Sequence, residues 1–172
     1  MEQRVVEVID ALGRHRPRDE KERRDRALVL RYLNWLDTPF DQTADPTHVT
    51  ASAIVFNVAG DVLVHRHKRL GILLQPGGHV DGLEHPAAAA ARELREETGV
   101  AAKNGTFVHV DIHQGPRGHV HLDLRYRFYA DDTTFTPLAG ESTEVFFLPR
   151  EHVSTAVDAS LARAVAAARD AD

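Results

Sequence analysis

The sequence predicts an α+β domain built around a mixed β-sheet and preceded by helices. Apolar residues recur at three- and four-residue spacing over 2–12 and 19–37, which is typical of amphipathic helices. Two strand-like runs then flank Ala59-Gly60, a hairpin signal. Later strands and helices do not alternate strictly as in a βαβ fold, which favours an α+β class.

The chain divides into a helical N-terminal extension, 1–47, and a main domain, 48–172. A length of 172 residues suits one domain with a short appendage. Gly13 is expected to end the first helix and Pro39 to follow the second, with a linker over 41–48. The main domain is then predicted to contain strands near 50–58, 61–69, 105–113, 119–129 and 144–148, and helices over 86–98 and 155–169.

Composition excludes several classes of function. A net charge of −5 argues against a general nucleic-acid-binding surface. Because the chain has no cysteine, it has no disulfide, no thiolate metal site and no cysteine nucleophile. No segment has the apolar length of a membrane span or of a signal peptide, so we expect a cytoplasmic protein without a membrane partner.

The segment 78–100 concentrates acidic residues on one helix. Pro86 suits the first turn of that helix and Gly99 its C-terminal end. Glu93, Glu96 and Glu97 lie three or four residues apart and therefore share one sector. Like charges at this spacing cost a few tenths of a kcal/mol each when exposed, and more in a cleft.

Two interpretations of this acidic sector remain open at this point. The first is a solvated acidic turn that Arg92 and Arg95 partly neutralise. The second is a cation site, because Mg²⁺ takes oxygen ligands and joins carboxylates to substrate phosphates.

The same segment resembles the Nudix box of the Nudix hydrolase family. That box reads G, five residues, E, seven residues, then R-E-U-x-E-E-x-G-U, where U is aliphatic. Every specified position matches here: Gly78, Glu84, Arg92, Glu93, Leu94, Glu96, Glu97, Gly99 and Val100. The resemblance implies an α/β/α sandwich around a mixed sheet, covering about 48–170.

The resemblance also implies metal-dependent hydrolysis of a pyrophosphate bond. The substrate would be a nucleoside diphosphate linked to another moiety. Mg²⁺ or Mn²⁺ would be held by Glu93, Glu96, Glu97 and the carbonyl of Gly77. The residues expected to be structural are Gly78, Glu84 and Arg92.

The general base that takes a proton from water is less determined. Glu93 and Glu97 are catalytic candidates within the box. A glutamate from a later loop is the other option, either Glu141 or Glu144. Glu144 is favoured because it directly precedes the apolar run Val145-Phe146-Phe147, as in many relatives.

Residues 119–128 alternate strictly between apolar and polar side chains, which predicts a half-buried strand. Its polar face either contacts solvent or lines the substrate cleft, where Arg125 and histidines would contact phosphates. The candidate substrate-binding residues are His79, His119, His121 and Arg125. A transition-metal site formed by His119, His121 and Asp123 is a further alternative.

Substrate and assembly are only weakly indicated. Pro116 lies 16 residues after Val100, which resembles a mark of ADP-ribose pyrophosphatases but is also an ordinary turn signal. A non-catalytic ligand-binding or regulatory module is an alternative function. A diphosphate isomerase is another, although its common form uses a catalytic cysteine that this chain lacks. The expected partner is a small nucleotide or diphosphate, and a homodimer is compatible with the sequence.

Overall fold

A computed structural model describes residues 2–131 and 134–171 of the chain. Along the chain, the elements are α1 (Gln3–Arg14), α2 (Glu20–Trp35), β1 (Thr47–Phe56), β2 (Val62–Arg66), β3 (Leu73–Leu74), β4 (Gly77–His79), α3 (Pro86–Thr98), β5 (Thr106–Gln114), β6 (Val120–Tyr129), β7 (Val145–Leu148), α4 (Val153–Ala156) and α5 (Ala159–Arg169).

The strands form one mixed sheet, which confirms the predicted α+β class. The main path of the sheet runs β3-β2-β1-β6-β5, with β4 added to β1 and β7 to β2. β1 and β6 are parallel along their whole length, from Thr47 opposite Val120 to Phe56 opposite Tyr129. The other pairs are antiparallel.

Helices cover both faces of this sheet, as an α/β/α sandwich requires. On one face, Leu94 of α3 joins apolar residues of α1 and α2 in a single core with Val49 and Val55 of β1. On the other face, Leu161 of α5 packs against Ile54 and Val64. Because successive side chains of β1 point to opposite faces of the sheet, this strand contributes to both cores.

Some predicted boundaries need correction. The first helix runs past Gly13 to Arg14, so Gly13 does not end it. The predicted linker also overlaps β1, which already begins at Thr47. The single helix expected over 155–169 is two helices, because the Asp158 side chain accepts a hydrogen bond from the Leu161 N–H at 2.8 Å and starts α5 there.

The N-terminal helices complete the sheet at its β5 edge. An edge strand presents N–H groups with no partner strand. Here buried carboxylates of α2 accept those hydrogen bonds: Glu22 from Val110 N at 3.3 Å and Asp25 from Ile112 N at 2.9 Å. The extension is therefore packed against the main domain through polar contacts as well as through the core.

Among the described helices, none combines the length and the apolar character needed to cross a bilayer.

Candidate active site

Helix α3 is delimited as its sequence indicates. Pro86 occupies its first turn, and the His85 ring accepts a hydrogen bond from the Ala87 N–H at 3.2 Å. Gly99 ends the helix in the left-handed conformation, at φ +81°, which glycine adopts without steric cost. These ends fix the position of the glutamates along the helix axis.

The glycine strand β4 lies directly against these glutamates. The Gly77 N–H donates to Oε2 of Glu97 at 2.8 Å. A Cβ on Gly78 would lie 2.5 Å from Oε1 of Glu93, so no larger residue fits without displacing that carboxylate. The two glycines thus allow the backbone to approach the carboxylates closely.

Arg92 ties the loop to the helix. Its Nη2 donates to Oε1 of Glu84 at 2.8 Å and to the carbonyl of His79 at 2.9 Å. Its Nη1 donates to Glu93 Oε1 at 2.8 Å and Glu96 Oε2 at 3.0 Å. Arg92 and Glu84 therefore connect the loop that precedes α3 to the helix itself.

Burial and mutual repulsion make the acidic sector unlike a solvated turn. Burial raises the pKa of Glu97 to about 8, with the Gly77 N–H opposing this shift and the charges of Glu93, Glu141 and Glu96 adding to it. Burial also raises the pKa of Glu93. Only 16% of the Glu97 side chain and 17% of the Glu93 side chain are exposed.

The donor set suits a hard divalent cation. Within the described part of the chain, Glu93 and Glu96 each use one oxygen for Arg92, and Glu97 uses one for Gly77. The second oxygen of each carboxylate takes no hydrogen bond there, although Glu97 Oε1 lies 3.9 Å from Nε2 of His65. Mg²⁺ and Mn²⁺ prefer such oxygen ligands.

The two loop glutamates differ in their surroundings. Glu144 directly precedes β7 and pairs with Arg66, whose Nε donates to Oε2 at 2.7 Å. The Glu144 side chain is 62% exposed. Glu141 is the loop glutamate whose charge helps to raise the pKa of Glu97.

A cavity of ≈ 450 Å³ opens beside β4, a size that accommodates a small ligand. Three of the four candidate substrate-binding residues line it: His79, His121 and Arg125. Gly77 and Gly78 form part of the same wall, and Leu70, Ile72 and Leu74 supply an apolar side. His119 is not part of the lining and instead stacks on His48, with ring centroids 5.2 Å apart.

Strand β6 is buried on both faces, which corrects the prediction of a half-buried strand. The polar side chains of its centre are enclosed because α5 packs over them. Arg125 donates to Asp123 Oδ2 at 2.8 Å, and to the Ser160 carbonyl and hydroxyl at 2.9 and 2.8 Å. Asp123 in turn accepts from Ser52 at 2.8 Å.

Three histidines from different strands meet beside this cavity: His48 of β1, His79 of β4 and His121 of β6. Burial lowers the pKa of all three, that of His121 to about 4. The predicted set of His119, His121 and Asp123 is not the one that the fold assembles. The sequence predicts that His48 lies in a linker. Its position next to His121 follows only from the register of the strands.

A contact from the N-terminal extension was also missed by sequence reasoning. Arg4 Nη1 donates to the carbonyls of Glu84 at 2.8 Å and Gly82 at 3.1 Å. Helix α1 therefore supports the loop between β4 and α3. Nothing in the sequence spacing links two residues so far apart along the chain.

Comparison with known proteins agrees with this fold. A protein of Lactococcus lactis subsp. cremoris (strain MG1363), described as a probable DHNTP pyrophosphohydrolase, is 37% identical over 86 residues. That match covers 45% of this chain and 51% of the relative, so the chain aligns with only about half of its length.

Solved structures match over a larger share of the chain. A NUDIX-family hydrolase from Clostridium perfringens superposes with a TM-score of 0.63 at 22% identity, covering 71% of this chain and 96% of the other. The NUDIX domain of Shewanella oneidensis NrtR, solved with ADP ribose, has a TM-score of 0.63 at 19% identity. It covers 81% of this chain and 96% of that chain. At these identities the likeness shows the fold.

The family model described as the NUDIX domain matches residues 46–168, which is most of the chain and contains every element of the site. The chain therefore belongs to the Nudix family.

Proposed function

We propose that this protein hydrolyses the diphosphate of a nucleoside diphosphate linked to another moiety, with Mg²⁺ or Mn²⁺ held by Glu93, Glu96 and Glu97. The observation that carries the proposal is the burial of Glu93 and Glu97 against β4, next to Glu96, with one oxygen of each carboxylate outside any hydrogen bond within the described residues. The name of the Lactococcus relative supports pyrophosphate chemistry.

The residues of the chain supply position and charge. A bound Mg²⁺ would neutralise phosphate charge and lower the pKa of an attached water. Gly78 allows β4 to lie close against Glu93 and Gly77 allows it to lie close against Ser52, while Arg92 contacts both Glu93 and Glu96. The Gly77 N–H donates to Oε2 of Glu97 and so orients this carboxylate, whose Oε1 lies 3.9 Å from Nε2 of His65. Gly77 remains a proposed ligand through its carbonyl.

The cavity beside β4 is the proposed substrate site. Its wall combines His79 and His121 with the two glycines, and its apolar side suits a base or ring. An ADP-ribose-like substrate is the specific proposal, supported by the ADP ribose in the related NrtR domain. Arg125 is a weaker candidate for phosphate contact because Asp123 and Ser160 already occupy its donors.

For the general base, the structure favours Glu141 over Glu144 among the loop residues. Glu144 is exposed and engaged by Arg66, whereas the charge of Glu141 acts on Glu97. Glu93 remains the candidate from the helix. A matched pair of variants, Glu141→Gln and Glu144→Gln, separates the two loop positions. We expect the larger fall in kcat for Glu141→Gln, and equal falls would contradict this ranking.

The test of the function is product release across a panel of phosphoanhydrides. The panel contains ADP-ribose, nucleotide sugars, dinucleoside polyphosphates, NADH, nucleoside triphosphates and DHNTP, each with Mg²⁺ or Mn²⁺. Glu97→Gln keeps an acceptor for the Gly77 N–H but removes the charge, so we expect a loss of about 100-fold or more. The matched control is Glu151→Gln, an exposed glutamate outside the site.

Turnover that needs the metal and is lost only in Glu97→Gln supports the proposal. Turnover that persists without divalent metal, or unchanged in Glu97→Gln, contradicts it. Tight binding of ADP-ribose by folded, metal-loaded protein without any turnover would favour the ligand-binding module instead.

A further inference from the structure

We propose that His48, His79 and His121, here called the histidine cluster, form a second metal site that binds Zn²⁺ with one position open to the cavity. This site is separate from the carboxylates of α3 and goes beyond the proposed hydrolysis. Its donors are nitrogens, which suit zinc and related transition metals, whereas magnesium takes oxygen ligands.

The geometry is close to that of a three-histidine site. One ring nitrogen of each histidine lies within 4.8 Å of the corresponding nitrogen of the other two. Zinc–nitrogen bonds of about 2.0–2.1 Å in a tetrahedral site place the nitrogens about 3.3 Å apart. Small rotations of the side chains would close that difference without moving a strand.

The backbone holds the three rings together. His48 and His121 are directly opposite each other in the parallel pair β1–β6. His79 is opposite Thr50 in the antiparallel pair β1–β4, two residues along β1 from His48 and on the same face. The ligands therefore lie on the rigid sheet rather than on loops, which favours a preformed site.

His48 is oriented as a metal ligand. It is completely buried, and its Nδ1 lies 3.2 Å from the carbonyl oxygen of Asp45. Because a carbonyl only accepts, Nδ1 carries the proton and Nε2 presents a lone pair. Metal-bound histidines commonly donate their other ring N–H in this way.

The lone pair on Nε2 of His48 takes part in no hydrogen bond in the described structure. Its Nε2 is buried and finds no hydrogen-bond partner within residues 2–131 and 134–171. An unsatisfied buried polar atom is costly and uncommon in folded proteins. A metal ion held with His79 and His121 would satisfy it.

Packing alone is the simpler explanation of the cluster, since imidazoles stack on one another. The rings of His48 and His79 are 5.1 Å apart and those of His48 and His121 are 5.2 Å apart. Stacking does not explain why Nε2 of a fully buried histidine faces no acceptor or donor. It also does not explain why nitrogens from three separate strands converge.

The fourth position of this site would face the substrate cavity. His79 and His121 line the cavity, whereas His48 lies behind them. Three protein ligands with an open fourth position are the arrangement of zinc sites that bind water or a substrate group. The histidine cluster would thus present a zinc ion to the cavity that we propose as the substrate site.

The test is zinc binding to the full-length protein after removal of metals by chelation. Zinc would be titrated by calorimetry in the presence of saturating Mg²⁺, which occupies oxygen sites. Co²⁺ would be added separately, because tetrahedral Co²⁺ absorbs visible light much more strongly than octahedral Co²⁺. We expect one equivalent of bound zinc and a tetrahedral cobalt spectrum.

Four variants assign the ligands. We expect His48→Gln and His121→Gln each to weaken zinc binding by about 100-fold or more, beyond the effect of removing an outer hydrogen-bond partner. His119→Gln is the matched control, since its ring also stacks on His48 but lies outside the cluster. Glu97→Gln should retain zinc binding, which separates this site from the proposed hydrolytic one.

Several results would overturn the proposal. One is zinc binding lost in Glu97→Gln but kept in both histidine variants. Another is an equal loss in His119→Gln, which would make the assigned ligand set wrong. A purely octahedral cobalt spectrum of the unsubstituted protein would also refute it, and this measurement does not depend on any variant folding.

Discussion

Two groups of titratable side chains flank the glycine strand β4, and burial acts on them in opposite directions. In the acidic cluster, which consists of Glu93, Glu96 and Glu97, burial raises the pKa of Glu93 and raises that of Glu97 to about 8. The histidine cluster contains imidazoles whose pKa burial lowers, to about 4 for His121. In both cases the low-dielectric surroundings disfavour the charged form.

The two clusters would therefore meet a cation in different states. The carboxylates of the acidic cluster repel one another, and a hard cation would reduce this repulsion by neutralising their charge. The histidine cluster is neutral near pH 7 and offers lone pairs, which is the protonation state that binds metals. The same physical effect, burial, would thus suit the two clusters to two different kinds of metal ion.

Gly78→Ala should have the largest effect, confined to the acidic cluster. The added methyl group would lie 2.5 Å from Oε1 of Glu93 and must displace it. Because a misplacement of about 1 Å can cost about 100-fold in rate, we expect a comparable fall in kcat/KM. The control is Gly13→Ala, where an added Cβ meets nothing within 4 Å. Full activity in Gly78→Ala would show that Glu93 has room to move.

Arg92→Lys should have the second-largest effect, and it would affect both clusters. Arg92 contacts Glu93 and Glu96 on one side and the carbonyl of His79 on the other. A lysine ammonium cannot reproduce this fork of donors. We expect unfolding free energy to fall by about 1–3 kcal/mol, measured by denaturant titration. Arg95→Lys, on the exposed side of α3, is the control, and an equal loss there would contradict this account.

The pH dependence of stability in metal-free protein should distinguish the clusters by sign. Glu97 keeps its proton to higher pH when folded, so its contribution falls as pH rises from about 4.5 to about 8. His121 resists protonation when folded, so its contribution is lost as pH falls from about 6.5 to about 4. Each slope is at most about 1.4 kcal/mol per pH unit.

Both pH dependences can be measured by thermal unfolding of the protein in the presence of a chelator over a range of pH values. Glu97→Gln should reduce only the loss of stability that accompanies rising pH. His121→Gln should reduce only the loss of stability that accompanies falling pH. The groups facing His121 are His113, His48, His79 and Asp123, and they are unchanged in both variants. If one substitution reduced both pH dependences, the two clusters would be coupled, which would contradict independent effects of Glu97 and His121 on stability.

Gly115→Ala should give the smallest effect, confined to the histidine cluster. A Cβ there would overlap the His121 ring, so the ring must shift. We expect zinc affinity to fall by about 10-fold, as for other disturbances of the groups around a ligand. Gly13→Ala again serves as the control. Unchanged zinc affinity in Gly115→Ala would indicate that the position of His121 is not critical.

Much of the acidic cluster could be predicted because it is local. A helix of known period places Glu93, Glu96 and Glu97 in one sector, and Pro86 and Gly99 mark its ends. A structural role for Arg92 and Glu84 was expected from the resemblance of the same short segment. The fold class was likewise predictable from periodicity, since amphipathic patterns depend only on neighbours along the chain.

The histidine cluster could not be found in this way. Its members come from β1, β4 and β6, and their meeting depends on a parallel strand pair that joins residues 73 positions apart, His48 and His121. The burial of Arg125 and Asp123 was missed for the same reason, because α5 covers a face that looks solvent-accessible in an isolated strand.

By itself, the sequence determined most of the helices and strands, the family and the acidic sector, because each is encoded within a single contiguous segment. The tertiary structure alone decided that α2 supplies carboxylates to the β5 edge, that Arg4 supports the loop before α3, and that three histidines converge at the cavity. These features depend on strand order and register, which arise from burial of the whole core and leave no spacing pattern along the chain.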